Sequence, residues 1–146
     1  MDALTEAREV RLKELAVDRW QVLQHPLNQH PPGHPHHVPP YPCPYDLREL
    51  WRERDALSER FKERWGGLTP ATPDVELGTT GIWCAMPFLY LPCRVADTRH
   101  GVSGGFVERL DDPELEPGGP YTRKAWYRVT DWREFRVGRS ARTSSP

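Results

Sequence analysis

Most of the chain's 16 prolines fall in three stretches, Pro26 to Pro44, Pro70 to Pro73 and Pro113 to Pro120. Proline has no backbone N–H and a fixed φ, so neither a regular helix nor an interior strand runs easily through such stretches. They divide the 146 residues into short folding pieces, enough for one domain with appendages. The apolar fraction of 37% points the same way, being below the roughly 45–50% usual for globular chains. Six tryptophans oppose that trend, because side chains of that size mark cores or contact surfaces.

Between the proline stretches the texture is first helical and then extended. Residues Ala3 to Gln24 lack Gly and Pro, and Leu12, Leu15, Ala16, Trp20 and Leu23 recur at helical spacing, so an N-terminal helix is expected over 1–24. A second helix is expected over 46–67. Asp46 caps it, Glu49 completes a capping box, Tyr45 can staple onto Leu50, and Gly66 and Gly67 stop it. Its apolar face reads Leu47, Leu50, Trp51, Leu57, Phe61 and Trp65, interrupted by Arg54. A linker follows over 68–76, then strand-like runs at Ile82 to Ala85, Phe88 to Leu91, Cys93 to Ala96, Phe106 to Leu110, Ala125 to Val129 and Phe135 to Val137. Pro87, Pro92, the run Asp97 to Gly105 and the loop Asp111 to Pro120 separate them.

This succession of strands and Gly- or Pro-rich loops, closing on AWYRVTDWREFRV, resembles a small SH3-like barrel. The expected fold is therefore α+β: amphipathic N-terminal helices, an extended Pro/His arm over 25–45, a small antiparallel β-barrel over 77–137 with Trp126 at its centre, and a basic Ser/Thr tail over 138–146. The barrel is expected to fold without the helices.

The stretch GHPHHVPPYPCPYD places His34, His36, His37 and Cys43 among prolines. Zinc needs ligands converging within about 2.0–2.3 Å, as a tight turn or a helix face provides. A polyproline-like path rises about 3.1 Å per residue and carries neighbouring rings apart. The arm is thus expected to be a connector holding no stoichiometric metal, and neither a metal nor a cofactor is expected anywhere in the chain. A Pro-rich ligand for an aromatic groove is the alternative.

Other candidate sites are weaker. Asp97, His100 and Ser103, with Cys93 nearby, have the residue types of a nucleophilic triad but sit within one loop, where Asp, Ser and Gly serve backbone turns. HGVSGG lacks the following helix and lysine of a phosphate loop. Asp111, Asp112, Glu114 and Glu116 read as water-exposed acids with at most weak calcium affinity. Arg133, Arg136, Arg139 and Arg142 beside Trp and Tyr permit nucleic-acid stacking, although 20 basic against 21 acidic residues create no general attraction for polyanions.

Three cysteines at irregular spacing are not a disulfide framework, although a Cys84 to Cys93 bridge is conceivable. The opening residues lack the pattern of a signal peptide, and no apolar run suits a membrane span, so a cytoplasmic protein is expected, or a virion protein if phage-encoded.

The functional expectation is a non-enzymatic structural or adaptor subunit of a larger assembly, or one that self-associates. Its partner interface is expected at Leu47, Leu50, Trp51, Leu57, Phe61, Trp65 and Trp20. The combination of helices, arm and small barrel is similar to small head, neck or decoration proteins of tailed bacteriophages. The alternative is a small-barrel module binding nucleic acid or another ligand.

Overall fold

The computed structural model describes residues 2–98, 103–114 and 124–138, with the backbone alone at 99 and 100. Helix α1 spans Ala3–Gln24 and helix α2 spans Leu47–Gly66. Both begin where the caps require. The Asp2 carboxylate accepts from the Thr5 N–H, and Asp46 accepts from the amides of Arg48 and Glu49. Lys13 with Glu53, and Arg60 with Glu6, tie the two helices together.

Six strands follow: β1 (Thr69–Pro70), β2 (Thr80–Met86), β3 (Leu89–His100), β4 (Gly104–Arg109), β5 (Tyr127–Val129) and β6 (Phe135–Val137). They form one antiparallel sheet in the order β1-β6-β2-β3-β4-β5. The sheet is open, which corrects the expected closed barrel. Its edges are strands of two and three residues, β1 and β5, and they do not pair with each other. The segment expected as a linker supplies β1, and Ala71 beyond it is buried in the core.

The two strands expected on either side of Pro92 are one continuous strand, β3. Pro92 O accepts from Leu110 N at 2.8 Å, but proline has no N–H with which to return the bond. Leu110 O is satisfied instead by Arg8 Nε of α1, at 3.1 Å. A side chain from the neighbouring helix thus makes a mid-strand proline tolerable.

Strand alternation sends side chains to two separate cores. One face of the sheet buries Trp83, Leu91, Cys93, Val95, Val107, Val129, Phe135 and Val137 together with Trp132 and Ala71. The other lays Ile82 and Tyr90 beneath Ala7, Val10 and Val17 of α1 and Leu50, Leu57 and Phe61 of α2. Trp126 is not the central tryptophan expected. It stands before β5 and is 52% exposed, whereas Trp132 is 1% exposed and packs edge-on against Phe135, with ring centroids 6.0 Å apart. Close approach elsewhere demands glycine: a Cβ on Gly105 would lie 2.3 Å from Trp132 Cζ2, and one on Gly81 would lie 2.2 Å from Arg136 O.

The Pro/His arm is not extended throughout. Pro32 and Gly33 form a turn closed by His34 N donating to Pro31 O at 3.1 Å, with Gly33 at φ +91° as the third position of such a turn requires. A second turn closes from His37 N to His34 O. Trp20 Nε1 donates to Tyr41 O at 2.7 Å and ties the arm back to α1.

Candidate functional site

The residue that breaks the apolar face of α2 marks the site. Arg54 stands one turn before Leu57 and Ser58, and with Glu14 of α1 it lines a cavity of about 60 Å³ between the two helices and the start of β3. Leu89, Tyr90, Arg109 and Asp111 complete much of the wall. Ser58 fixes the hairpin against α2: its Oγ donates to Phe88 O at 2.9 Å and accepts from Tyr90 N at 3.0 Å.

Charged side chains extend this wall. Arg109 meets Asp111 through two parallel bonds, of 2.9 and 2.7 Å, and both residues are buried. Burial works against the Arg109 charge, but the hydrogen bond and charge of Asp111 outweigh it, so the guanidinium holds its proton more firmly than usual. Arg11 donates to Asp112 at 2.7 Å, and the Tyr127 hydroxyl donates to the same carboxylate at 3.2 Å. Burial, and next the Asp112 charge, raise the Tyr127 pKa. These acids are therefore not the free loop carboxylates the sequence suggested. Asp111 and Asp112 are folded into arginine pairs, Glu114 pairs with Lys124, and Glu116 lies outside the described residues.

Two of the residues that line the cavity are only partly paired, and the Arg54 guanidinium turns one terminal nitrogen to Asp55 Oδ1 at 3.5 Å. Arg54 Nε is buried without a hydrogen-bond partner among the described residues. Glu14 has one ion pair there, with Arg11 Nη1 at 3.8 Å, too long for a hydrogen bond. Burial pushes the Glu14 carboxyl above the ordinary carboxylate range, against the pull of Arg11, Arg109 and Arg54. A buried donor without a partner costs about 1–3 kcal/mol, and Gln24 Nε2, Trp132 Nε1 and Arg136 Nε are buried in the same way elsewhere among the described residues.

The residues expected to form an interface are divided by the structure. Leu50, Leu57 and Phe61 face the chain's own sheet, with Leu47 partly buried beside them. Trp65 is held by Arg136, whose guanidinium carbon stands 3.5 Å from the ring centroid, and its Nε1 donates to Glu134 O. Trp20 is half-buried on the arm. Trp51 stays 51% exposed, and Arg54 follows it by three residues, one turn along α2.

Phe88, expected to open a strand, instead lies in the turn before β3. Pro87 and Phe88 make the two-residue loop between Met86 and Leu89. Such loops favour Asn-Gly or similar pairs, so a phenylalanine there is not explained by turn chemistry. It is 89% exposed, beside a Met86 that is 59% exposed.

The remaining candidates dissolve or stand apart. Cys93 is fully buried, and burial raises its pKa, so its thiol is not a nucleophile. The His100 side chain, Gly101 and Val102 lie outside the described residues, while Gly104 and Gly105 belong to β4. Cys84 faces the helices and Cys93 the opposite core, which excludes a bridge between them, and all three cysteines are free. His30 and His34 stack at 4.2 Å, with His36 5.5 to 6.0 Å from them, because the two turns bring back rings that a polyproline path would separate. Even so, no group of three or more His, Cys, Asp or Glu among the described residues is arranged to hold a metal ion. Arg133 is paired with Asp131, and Arg139 and Arg142 lie outside the described residues. No helix among the described residues is long and apolar enough to cross a membrane.

No protein-family model matches the chain, and neither a curated protein nor a solved structure matches it.

Proposed function

We propose that the protein is a non-enzymatic adaptor subunit of a larger protein assembly, docking through the β2–β3 hairpin tip with Trp51 of α2 beside it. The observation that carries this reading is Phe88, 89% exposed on a loop that does not need it, while two complete cores form without it. Ser58 anchors Phe88 to α2, and Trp51 lies seven residues earlier, two turns along the same helix face at about 10 Å. Burying an aromatic side chain of this kind against a partner yields about 1.5–3 kcal/mol, the scale of an interface anchor.

Nucleic-acid binding is the second reading. Trp126 stands 6.0 Å from Phe106, and Arg128 is exposed opposite Phe106 in the β4–β5 pairing, an aromatic and basic surface. Arg94 on the neighbouring strand is already paired with Glu108, which weakens the attraction for phosphate.

Native mass measurement of the particle that copurifies with the full chain tests the proposal. The expected result is a partner at fixed stoichiometry, lost with Phe88→Asp while the melting temperature stays within a few degrees. A chain that remains monomeric and partnerless at micromolar concentration, but binds single strands with affinity falling steeply in salt, refutes it in favour of the second reading.

A further inference from the structure

We infer that residues 38–44 are a preformed proline-rich ligand for a partner domain whose groove is lined by tryptophan and tyrosine rings. The inference rests on the adaptor reading for the existence of a protein partner, and it places a second contact on the chain, apart from the hairpin tip.

Local sterics shape this segment. It reads VPPYPCP, and every residue in it either is proline or precedes one. Proline holds φ at about −65°, and the residue before a proline is driven out of the helical region toward extended ψ, so the two effects leave a polyproline path as the default along the whole stretch. The first half of the arm escapes this constraint. Gly33 follows Pro32, neither His36 nor His37 is followed by proline, and the two turns lie there. Residues 38–43 have no helix, strand or turn, and make no backbone–backbone hydrogen bond among the described residues.

The segment is held at the surface rather than buried. Trp20 Nε1 donates to Tyr41 O, and Cys43 is partly buried against the second core. Pro39, Pro40, Tyr41, Pro42 and Pro44 stay exposed. At three residues per turn Pro39 and Pro42 share one ridge, about 9 Å apart, which is the PxxP spacing that aromatic grooves read. Cys43 belongs to a different ridge, so the chain does not cover the one that carries these two prolines.

The hydrogen-bonding groups select the kind of groove. Seven carbonyls stand against three N–H groups, those of Val38, Tyr41 and Cys43, because the other four residues are proline. Neither set of alternate residues has the full row of N–H groups that pairing with a partner's sheet edge requires. Indole and phenol rings fit instead, since each offers a flat apolar face to the prolines and one polar hydrogen to a carbonyl. Trp20 already makes such a bond within the chain, at 2.7 Å from Tyr41 O.

The test titrates an SH3 domain, a WW domain and an EVH1 domain, three kinds of aromatic groove that read such segments, into the 15N-labelled full-length chain. The amide signals of Val38, Tyr41 and Cys43 are expected to move and saturate with at least one of the three, and decaproline should displace it. Pro39→Ala with Pro42→Ala frees both φ angles and removes both rings, and should weaken that binding about tenfold with the spectral dispersion intact. If the double variant fails to fold, Pro42→Ala alone, expected to weaken binding about threefold, takes its place. Phe88→Asp should leave the binding unchanged. Signals unmoved by all three domains at millimolar concentration overturn the inference and make the segment a connector, as does binding that survives the proline variants. A chain that loses its copurifying partner with Phe88→Asp yet ignores all three domains sinks the proline ligand alone. One that binds a groove through residues 38–44 but keeps its partner when Phe88 is changed sinks docking at the hairpin tip alone.

Discussion

Truncating Phe61 to alanine separates an intramolecular helix face from an intermolecular one. Phe61 is 2% exposed and belongs to the cluster formed by Ala7, Val10, Leu57, Ile82 and Tyr90. Its loss removes the transfer free energy of a buried aromatic ring and leaves a cavity between three rigid elements, which together cost roughly 3–5 kcal/mol. That is a large share of the about 5–15 kcal/mol that holds a domain of this size folded. Trp51, on the same helix, already has half its surface in water, and Trp51→Ala should cost only about 1 kcal/mol. In urea, with a slope of about 2 kcal/mol per molar, the Phe61 variant should unfold at a midpoint lower by about 2 M, and the Trp51 variant by about 0.5 M. Equilibrium unfolding followed by circular dichroism, with the mass in solution checked by light scattering, decides between them. If Phe61→Ala costs less than Trp51→Ala, or turns an oligomer into a stable folded monomer, the helix face belongs to an interface and the core described above is wrong.

Further outcomes follow from the charged wall and the second core. The raised Glu14 pKa means that the folded chain holds that proton to higher pH than the unfolded chain, so its stabilising effect is complete below the ordinary carboxylate range and is lost as pH rises through the folded value. Glu14→Gln should therefore melt higher than the parent at pH 7, and thermal scans should show the advantage vanishing below about pH 4. Asp111→Asn strands the buried Arg109 guanidinium and should cost about 3–5 kcal/mol, while the double variant Arg109→Met, Asp111→Leu should recover most of that loss in urea unfolding. Trp132→Ala should bring the domain close to unfolding, whereas Trp126→Ala should cost about 1 kcal/mol or less and change little beyond near-ultraviolet circular dichroism.

Both helices were legible from the chain alone because their signals are local: a cap, a period and a stop within two dozen residues. Strand positions were also legible from β-branched and aromatic runs. What Pro92 does was not, because the group that compensates for its missing N–H, Arg8, is far away in sequence. Distance also hid the split of the α2 stripe. Periodicity identifies an apolar face but not what covers it, and β2 and β3 take Leu50, Leu57 and Phe61 while leaving Trp51 outside. The acids at 111 and 112 looked solvated because composition cannot show that Arg109 and Arg11 arrive beside them. Two missed features did have local signals. Pro32-Gly33 is turn chemistry that contradicts an extended arm, and Pro87-Phe88 in a two-residue hairpin loop is poor turn chemistry, which itself points to another use.

The position of β6 has a consequence for how the chain is made. Its partners are β1 and β2, with Thr69 and Gly81 both facing Val137, yet among the described strands it comes last in sequence. As the polypeptide leaves the ribosome, the helices and the β2–β3 hairpin emerge with one flank of β2 unpaired, and no earlier segment fills it. For that interval the nascent chain presents an apolar strand edge bearing Ile82 and Trp83, the kind of template on which neighbouring nascent chains pair. Pairing of β6 with β1 and β2 also waits on contacts remote in sequence, which slows folding relative to a chain of local contacts. A fragment truncated before residue 135 would lack the strand that covers this edge of β2 and should aggregate more readily than the full chain.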